Sequence, residues 1–353
     1  MKLKRPRKGF PSIRPEQAAQ RACRRGCTPS LLKITHWLAA LYLFVAVAAH
    51  AETWRFAVIG DTPYSDHERR ELPSMLGEIA AEIADKRPEF VVHVGDFKKS
   101  SARCSDEIFV DRYALFNASK LPLIYVPGDN EWTDCKHLIA GHYDELERLA
   151  KLRQLFFAEP RSLGQTSIAL ERQSSAFPEH LRWRLGPLLF VTLNVPGPNN
   201  NFGIGQDASA EFRSRNPALI DWLRQGFATA RREHSAAIVI AMQGNPGFKH
   251  FAAGLTHSGY RELLETLRNE TLSFPGQVLL VHGDTHWQRI DHPLRNAKAT
   301  VANFTRLESF GYPFMGWVKV IADTQTPGLF RFEVQPRNPQ RIHGLLPAIA
   351  PGQ

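Results

Sequence analysis

The stretch Gln277–Trp287, QVLLVHGDTHW, joins an apolar run to an abruptly polar ending. The run VLLV is rich in branched residues and predicts a buried strand. Asp284 and His286 follow the strand directly, two residues apart. Because open α/β sheets bind ligands at the carboxyl ends of their strands, both side chains are expected at a ligand site.

The same pattern recurs four more times along the chain. An apolar run ends at a polar residue in FAVIGD (Asp61), FVVHVGD (Asp96), LIYVPGDN (Asp129 and Asn130) and AAIVIAMQ (Gln243). Helical patterns are predicted over 67–86, from about 105, and over 141–157, 216–233 and 259–270. Strands that alternate with helices indicate an α/β fold with a mainly parallel sheet.

Two further segments predict hairpins. The first covers 181–195 and turns at Gly186 and Pro187, and the second joins WVKVIAD to LFRFEV. Antiparallel pairs of this kind predict a second sheet or antiparallel edges beside the parallel strands.

Four of the strand ends carry a carboxylate: Asp61, Asp96, Asp129 and Asp284. Each one alone is ordinary turn chemistry, because Asp tolerates tight turns beside Gly. Together at one edge they would repel each other unless a cation lay between them. Oxygen ligands favour a hard cation, so the set predicts a divalent metal site.

The ordered motifs GDTPY, VGDFK, PGDNEW, MQGNP and HGDTHW resemble those of the calcineurin-like metallophosphoesterases, over residues 54–334. The resemblance implies a four-layer α/β/β/α sandwich of two mixed sheets flanked by helices. It also implies a two-metal site that Asp96 bridges, where a metal-bound hydroxide attacks phosphorus. Residues 52–353 would then form a single metallophosphoesterase-like domain.

The match to the family motifs is partial. Asp61, Asp96 and His286 match in type. At the other positions, Pro63, Gln243 and Asp284 stand where the family has His, Asp129 stands where it has Asn, and Asn130 stands where it has the catalytic His. A register shift of one residue would make Asn130 the ligand in place of Asp129. The resemblance implies a first metal held by Asp61, Asp96 and His286. A second would be held by Asp96, Asp129 or Asn130, Gln243 and Asp284.

The second set of ligands is nearly all oxygen, which favours magnesium, manganese or calcium over zinc, with iron still compatible. Replacement of the catalytic His by Asn130 removes the obvious acid for the leaving group, so esters with good leaving groups are expected to react best. Lys98 would bind substrate phosphate or replace a missing cation, unless it is a solvated loop lysine. The predicted catalytic residues are Asp96, Asn130 and Lys98.

Neighbours of the motifs have less specific interpretations. Tyr64 is expected at the rim rather than as an iron ligand, and His93 is expected to be packed. Glu131 is a candidate for orienting the ligands. Trp132 fits packing or substrate stacking, and His282 fits a supporting role beside Asp284. The polar loop over 194–212 is expected to select the substrate.

Residues 1–51 have the pattern of a targeting segment. A basic stretch precedes the apolar run LAALYLFVAVAA and the small-x-small ending AHA, which predicts a signal peptide cleaved after Ala51. An uncleaved membrane anchor is the alternative, although the run is short for a membrane span. Export is therefore expected, to a periplasm or to the outside of the cell.

The net charge of +9 belongs to this leader. Of the 44 Lys and Arg and the 35 Asp and Glu in the chain, residues 1–51 hold ten basic residues and one Glu, which leaves 34 of each sign. A neutral mature chain argues against nucleic-acid binding. Cys104 and Cys135 remain after cleavage and predict one disulfide that braces the rim of the site.

These patterns predict an exported metal-dependent hydrolase of phosphate esters, acting on a small molecule or a lipid. The alternative is a catalytically degenerate exported binding protein that keeps the fold and binds a phosphate-bearing ligand. Packed carboxylates favour the enzyme, and the lost His ligands favour the binding protein.

Overall fold

The computed structural model describes residues 52–203, 207–255, 258–297 and 299–337. The predicted signal peptide and its cleavage site lie outside the described residues, and the single-domain organisation of residues 52–353 stays a prediction. Twelve strands are described: Thr53–Ile59 (β1), Val91–His93 (β2), Leu123–Tyr125 (β3), Glu171–Arg172 (β4), Leu181–Leu185 (β5), Leu188–Thr192 (β6), Ala237–Ala241 (β7), Gln277–His282 (β8), Arg289–Asp291 (β9), Phe304–Glu308 (β10), Gly316–Asp323 (β11) and Phe330–Pro336 (β12).

Helices connect or flank these strands in the described part of the chain. They are Asp66–Ala81 (α1), Asp106–Asn117 (α2), Glu145–Phe156 (α3), Ala210–Arg232 (α4), Phe248–Ala252 (α5) and Ser258–Ser273 (α6). None of the helices in the described ranges is both long enough and apolar enough to cross a membrane.

The strands form two mixed sheets. The first has the order β12-β11-β1-β2-β3, with β1, β2 and β3 parallel and β11 antiparallel to both its neighbours. The second has the order β4-β5-β6-β7-β8-β10-β9, with β6, β7, β8 and β10 parallel. The predicted architecture of two mixed sheets with helices is therefore confirmed, and so are both predicted hairpins.

Two hydrophobic cores use opposite faces of the second sheet. Phe190 of β6 belongs to the core that also contains the first sheet and buried residues of α1, α2 and α3. Its neighbours Leu189 and Val191 belong to a second core with α4 and α6. Successive side chains of a strand point to opposite faces of the sheet, so β6 contributes to both cores.

Several predicted boundaries differ from the structure. Helix α4 begins at Ala210 rather than at residue 216, because the Ser209 hydroxyl accepts a hydrogen bond from Phe212 N–H at 3.0 Å and caps the helix early. Helix α3 begins at Glu145, after the capping residue Asp144, rather than at 141. Helix α1 ends at Ala81 rather than at 86. Strands β4, β9 and β10 and the short helix α5 were not predicted.

Candidate active site

The predicted site residues lie where the carboxyl ends of the two sheets meet. Asp61, Asp96 and Asp129 follow β1, β2 and β3 of the first sheet, and Gln243 and Asp284 follow β7 and β8 of the second. Hydrogen bonds cross between the sheets at this edge. Asp284 N–H donates to both Asp61 carboxylate oxygens, at 3.1 and 3.2 Å, and Gln243 Nε2 donates to Asp96 Oδ2 at 3.3 Å.

The Asp96 carboxylate is at the centre of this arrangement. Its Oδ2 accepts hydrogen bonds from the Tyr64 hydroxyl and from Asn130 Nδ2, both at 2.8 Å, besides the one from Gln243. Its Oδ1 accepts the backbone N–H of Asn130 at 3.2 Å. Three of the predicted ligands, Asp96, Asn130 and Gln243, are thus in direct contact.

His286 joins Asp61 to the same cluster. Its Nδ1–H donates to the Tyr312 carbonyl at 2.7 Å, which leaves Nε2 without a proton in the neutral ring and able to accept or to bind a metal. Nε2 lies 3.6 Å from Asp61 Oδ1 and 3.2 Å from the Tyr64 hydroxyl.

The backbone at these strand ends is unusual. Asp61, Asp96, Asp284 and His286 all have positive φ angles, of 48°, 59°, 83° and 61°. Left-handed backbone is uncommon for residues other than glycine and is concentrated at functional sites. It occurs here at four of the seven predicted metal ligands, which supports a functional role for this edge.

Two glycines let the carboxylates approach the backbone closely. A Cβ on Gly128 would lie 2.1 Å from Asp96 Oδ1, and a Cβ on Gly283 would lie 2.3 Å from Asp61 Oδ2. Any larger residue at either position would displace the carboxylate. The Gly residues of the strand-end motifs are therefore part of the site.

Burial and mutual repulsion disfavour the charged carboxylates. Burial raises the pKa of Asp61, Asp96 and Asp129 well above its usual range, and neighbouring carboxylates raise it further. Burial also raises the pKa of Asp284 to about 6. A cation between these groups would restore their charged forms, so the electrostatics of the cluster fit a metal.

Free ligand atoms also fit a metal. The buried Asp129 Oδ1 has no hydrogen-bond partner among the described residues, and neither has Asn130 Oδ1. Nevertheless, within the described ranges no three His, Cys, Asp or Glu side chains are grouped closely enough to hold an ion. Amide and phenol groups occupy the immediate surroundings of Asp96 instead.

The amide oxygens of Asn130 and Gln243 differ in how available they are to a metal. Both donate an amide N–H to the carboxylate, but Gln243 Oε1 accepts Gly197 N–H at 2.7 Å. Gln243 would bind a metal through Oε1 only after its amide turned away from Gly197. Asn130 Oδ1 is free of this constraint. Among the neighbouring groups, Asp284 raises the pKa of Asp129 most.

Lys98 is not the solvated loop lysine that was one interpretation of the sequence. It is 1% exposed, and its Nζ donates to the carbonyls of Ala102 at 2.9 Å and Lys99 at 3.3 Å. Burial lowers its pKa, and the carboxylates of Glu131 and Asp96 oppose that shift. It lines a cavity of about 830 Å³ together with Tyr64 and Tyr312.

Supporting residues fix the loop after β3. Glu131 Oε1 accepts the backbone N–H groups of Asp96 at 3.0 Å and Gly128 at 2.8 Å, which is the predicted orienting role. The predicted disulfide joins Cys104 to Cys135, and both sulfurs lie near the Asn130 carbonyl, at 3.6 and 3.7 Å.

The remaining neighbours are packed. Trp132 is fully buried under the Arg215 guanidinium, 5.6 Å from the ring centre, so it is a packing residue rather than a stacking surface for substrate. His93 is buried as expected, and its Nε2–H donates to the Thr62 carbonyl at 2.7 Å, which ties the loop of Asp61 to β2. His282 Nδ1–H donates to Gly283 O at 2.8 Å, beside Asp284.

Some residues of the site were not identified from the sequence. Tyr64 was expected at the rim, but its hydroxyl contacts Asp96, Asn130 and His286. Ser309 and Tyr312 follow the unpredicted strand β10, and they contact Asp61 through the Ser309 hydroxyl at 3.4 Å and the Tyr312 N–H at 3.2 Å. The DTPY sequence placed Tyr64 near the site, but no motif marked the loop after β10.

Arg215 is one of the residues that hold the polar loop over 194–212. Arg215 Nη1 donates to the Asn194 carbonyl at 2.6 Å and to Asn200 Oδ1 at 2.8 Å. Gly197, in the same loop, contacts Gln243. Gly197 therefore places one point of this loop against the site.

Carboxylates, amides and an imidazole thus lie together at the strand ends of a two-sheet α/β fold. A model of the calcineurin-like phosphoesterase family matches residues 55–288, and the chain belongs to that family. The resemblance of the motifs is confirmed by this match. Family membership supports a metal-dependent hydrolase of phosphate esters in general.

Similar solved structures are distant. A purple acid phosphatase from seeds of yellow lupin, Lupinus luteus, has 11% identity and a TM-score of 0.46, with 77% of this chain and 50% of that chain covered. The chain thus spans half the length of the lupin protein. A phosphopantetheinyl hydrolase from Mycobacterium tuberculosis has 15% identity and a TM-score of 0.34, with 73% and 89% covered. No curated protein matches the chain.

Proposed function

We propose that this protein is an exported metal-dependent phosphoesterase that hydrolyses the phosphate ester of a small molecule or a lipid. The observation that carries the proposal is the cluster of three buried carboxylates, Asp61, Asp96 and Asp129, with the half-buried Asp284 beside them. Burial and neighbouring carboxylates raise the pKa of each of the four. Such a cluster is costly without a cation, and the family supplies a use for it.

The proposed metal ligands are those predicted from the sequence. Asp61, Asp96 and His286 would hold one ion, and Asp96 with Asp129, Asn130, Gln243 and Asp284 would hold a second. The largely oxygen donor set favours magnesium, manganese or calcium over zinc, with iron still compatible. Bound ions would supply Lewis-acid stabilisation of the phosphoryl oxygens and activation of the attacking water.

Protein groups would position the ester. Lys98 lines the 830 Å³ cavity and interacts electrostatically with Glu131 and Asp96, so its ammonium would stabilise a phosphate group there. Asn130 contacts Asp96 and would hydrogen-bond the ester, but an amide has no proton to give to a leaving alcohol. Esters of acidic alcohols such as phenols are therefore the expected good substrates.

Export is supported by the leader and by the disulfide. The basic and apolar pattern of residues 1–51 is that of a signal peptide, and a Cys104–Cys135 bond persists in oxidising compartments.

A second candidate is an exported binding protein without catalytic activity. It is favoured by the amides of Asn130 and Gln243, which donate to Asp96 and partly satisfy that carboxylate without a metal. Such a protein would hold a phosphate-bearing ligand in the cavity beside Lys98.

One experiment separates the two candidates. The protein is chelated, and hydrolysis of an aryl phosphate monoester and diester is followed as magnesium, manganese, calcium, zinc or iron is restored. We expect activity that returns with a metal and is lost in Asp96→Ala. Folded protein that hydrolyses neither ester with any metal would overturn the enzyme and favour the binding protein.

A further inference from the structure

A second cavity, of about 380 Å³, is lined by residues that follow β7 and by residues of β9 and β10. Its wall includes Asn245, which follows β7, and Arg289, at the start of β9 after the Asp284 loop. The Asn245 N–H donates to Asp284 Oδ2 at 2.7 Å. One part of the cavity wall therefore borders the loops that carry Gln243 and Asp284.

The charge of this cavity is strongly one-sided. One carboxylate, that of Asp291, lies in its wall. Four cationic side chains also line it, namely Lys249, Arg289, Arg295 and Arg306. In the 830 Å³ cavity beside Lys98, four cationic side chains meet three carboxylates. Of the two, the smaller cavity is thus the one with a clear excess of positive charge, and a buried or half-enclosed excess of this kind attracts anions.

Two of the cations are held in place. Arg306 Nε donates to Asp291 Oδ1 at 2.7 Å, and Arg289 Nε donates to Glu308 Oε2 at 2.6 Å. A guanidinium has five N–H donors, so each arginine keeps donors beyond those used in its ion pair. These two side chains form a rigid wall with spare hydrogen-bonding capacity.

The other two cations lack a compensating charge. Within the described ranges, neither Lys249 nor Arg295 has an ion pair or a side-chain hydrogen bond, and both are exposed at the mouth of the cavity. They account for the uncompensated positive charge, since the two fixed arginines are already paired.

The wall is also coupled to the metal-ligand loop. Glu308, which holds Arg289, also accepts a hydrogen bond from the Thr285 hydroxyl. Thr285 lies between Asp284 and His286 in the chain. An anion bound by Arg289 would thus contact a side chain that is linked through Glu308 and Thr285 to the loop of two proposed metal ligands.

We propose that this cavity binds a second oxyanion group, a phosphate or a carboxylate, of the ester whose scissile phosphate lies at Asp96. The inference rests on the proposed function and narrows its substrate class to esters that carry two anionic groups. Lys249 and Arg295 supply the uncompensated charge, and Arg289 and Arg306 supply fixed N–H donors.

The test is anion binding by the full chain after chelation, measured by calorimetry without added metal. Tripolyphosphate and citrate serve as probes, because they present phosphate and carboxylate groups respectively. The double variant Lys249→Ala/Arg295→Ala is compared with Lys86→Ala/Arg87→Ala. The control removes one exposed lysine and one exposed arginine just before β2, at the opposite ends of the strands from the site.

We expect the cavity variant to weaken the binding of at least one probe about tenfold, with a difference that shrinks as salt is added, because exposed charges are screened. The control variant should bind like the wild type. Tighter binding of tripolyphosphate would identify phosphate as the second group, and tighter binding of citrate would identify carboxylate. Equal dissociation constants for the wild type and the cavity variant, or no binding of either probe by the wild type, would overturn the proposal.

Two additional variants keep the result interpretable. Lys249→Glu/Arg295→Glu should abolish binding while the unfolding midpoint stays near that of the wild type, because both side chains are exposed. Lys249→Gln/Arg295→Gln, which removes the same two charges but keeps polar side chains, should weaken tripolyphosphate binding as the alanine variant does. Retained anion binding in a protein that cleaves no ester would contradict the proposed function alone, whereas ester cleavage with equal anion binding by the cavity variant would contradict this inference alone.

Discussion

The hydrogen bonds to Asp96 explain how a buried carboxylate is tolerated at the centre of the site. Tyr64, Asn130 and Gln243 are neutral donors to its Oδ2. Neutral hydrogen bonds stabilise a carboxylate less than charge-assisted ones do. The pKa of Asp96 therefore remains raised by burial and by neighbouring carboxylates, and a divalent ion would still gain from binding there.

Removal of one hydroxyl tests the part that Tyr64 has in the site. Tyr64→Phe deletes the group that joins Asp96, Asn130 and His286, so we expect metal affinity or kcat to fall about 10–100-fold. Steady-state hydrolysis of an aryl phosphate at several metal concentrations measures both. The matched control is Tyr312→Phe, whose ring stacks on Tyr64 but whose hydroxyl contacts none of these groups. Equal activity in the two variants would contradict a role for the Tyr64 hydroxyl.

One methyl group tests the close approach of Asp96 to the backbone. In Gly128→Ala the new Cβ would lie 2.1 Å from Asp96 Oδ1, so the carboxylate or the loop must move. A displacement of about 1 Å in an active site costs about 100-fold in rate, and we expect a loss of that order. The same assay applied to Gly77→Ala provides the control, because a Cβ there meets no atom within 4 Å. Full activity in Gly128→Ala would show that the tight contact does not matter.

Much of the site was predictable because each ligand follows its own strand. An apolar run that ends in Gly-Asp identifies Asp61, Asp96, Asp129 and Asp284 locally, and parallel strands bring such ends together. Contacts made by the loop after β10 were not predictable. They depend on β10 lying beside β8, a pairing of segments that no short motif specifies.

The loop after β3 is held from two directions. Glu131 binds the backbone of Asp96 and Gly128, and the Cys104–Cys135 bond lies against the Asn130 carbonyl. Hydrogen bonds and a covalent link thus fix the same few residues. Sequence analysis predicted both features because each residue falls within eight positions of a strand-end Asp.

Loss of the disulfide should therefore affect both stability and the site. The bond closes a segment with a sequence separation of 31, for which the chain-entropy relation gives about 3–4 kcal/mol of stabilisation. We expect Cys104→Ser/Cys135→Ser to lose roughly this much in chemical denaturation and to show reduced kcat. Wild type treated with dithiothreitol should behave in the same way. An unchanged denaturation midpoint would contradict the proposed bracing.

Helix boundaries were the weakest part of the sequence-based prediction. The sequence pattern predicted that α4 begins at residue 216, but the capping contact at Ser209 starts the helix at Ala210. The polar composition of the preceding loop concealed this start, because Ser, Asp and Ala fit a loop as well as a helix end.

The two hydrophobic cores share the second sheet, so they are expected to unfold together. Phe190 faces one core, and Leu189 and Val191 face the other. Loss of either core would therefore expose one face of the same strands. This arrangement is consistent with the single domain predicted for residues 52–353.

Thermal unfolding tests that organisation. Protein consisting of residues 52–353 should show a single transition, with equal calorimetric and van't Hoff enthalpies, because the strands between the cores cannot unfold in part. Intrinsic tryptophan fluorescence and far-ultraviolet circular dichroism should give coincident curves. Two resolved transitions would indicate that the cores are separate folding units.

Binding of Mn²⁺ to the chelated protein is the most direct test of the proposed metal centre. Equilibrium dialysis, with free Mn²⁺ measured by electron paramagnetic resonance, should give one or two ions per chain. Asp96→Asn should weaken or abolish their binding, since it removes the charge that both ions would share. At a free metal concentration 100 times the dissociation constant, metal binding should also stabilise the fold by about 2.7 kcal/mol. Folded wild-type protein that binds no Mn²⁺, or an Asp96→Asn variant that binds it equally well, would contradict a metal centre built on Asp96.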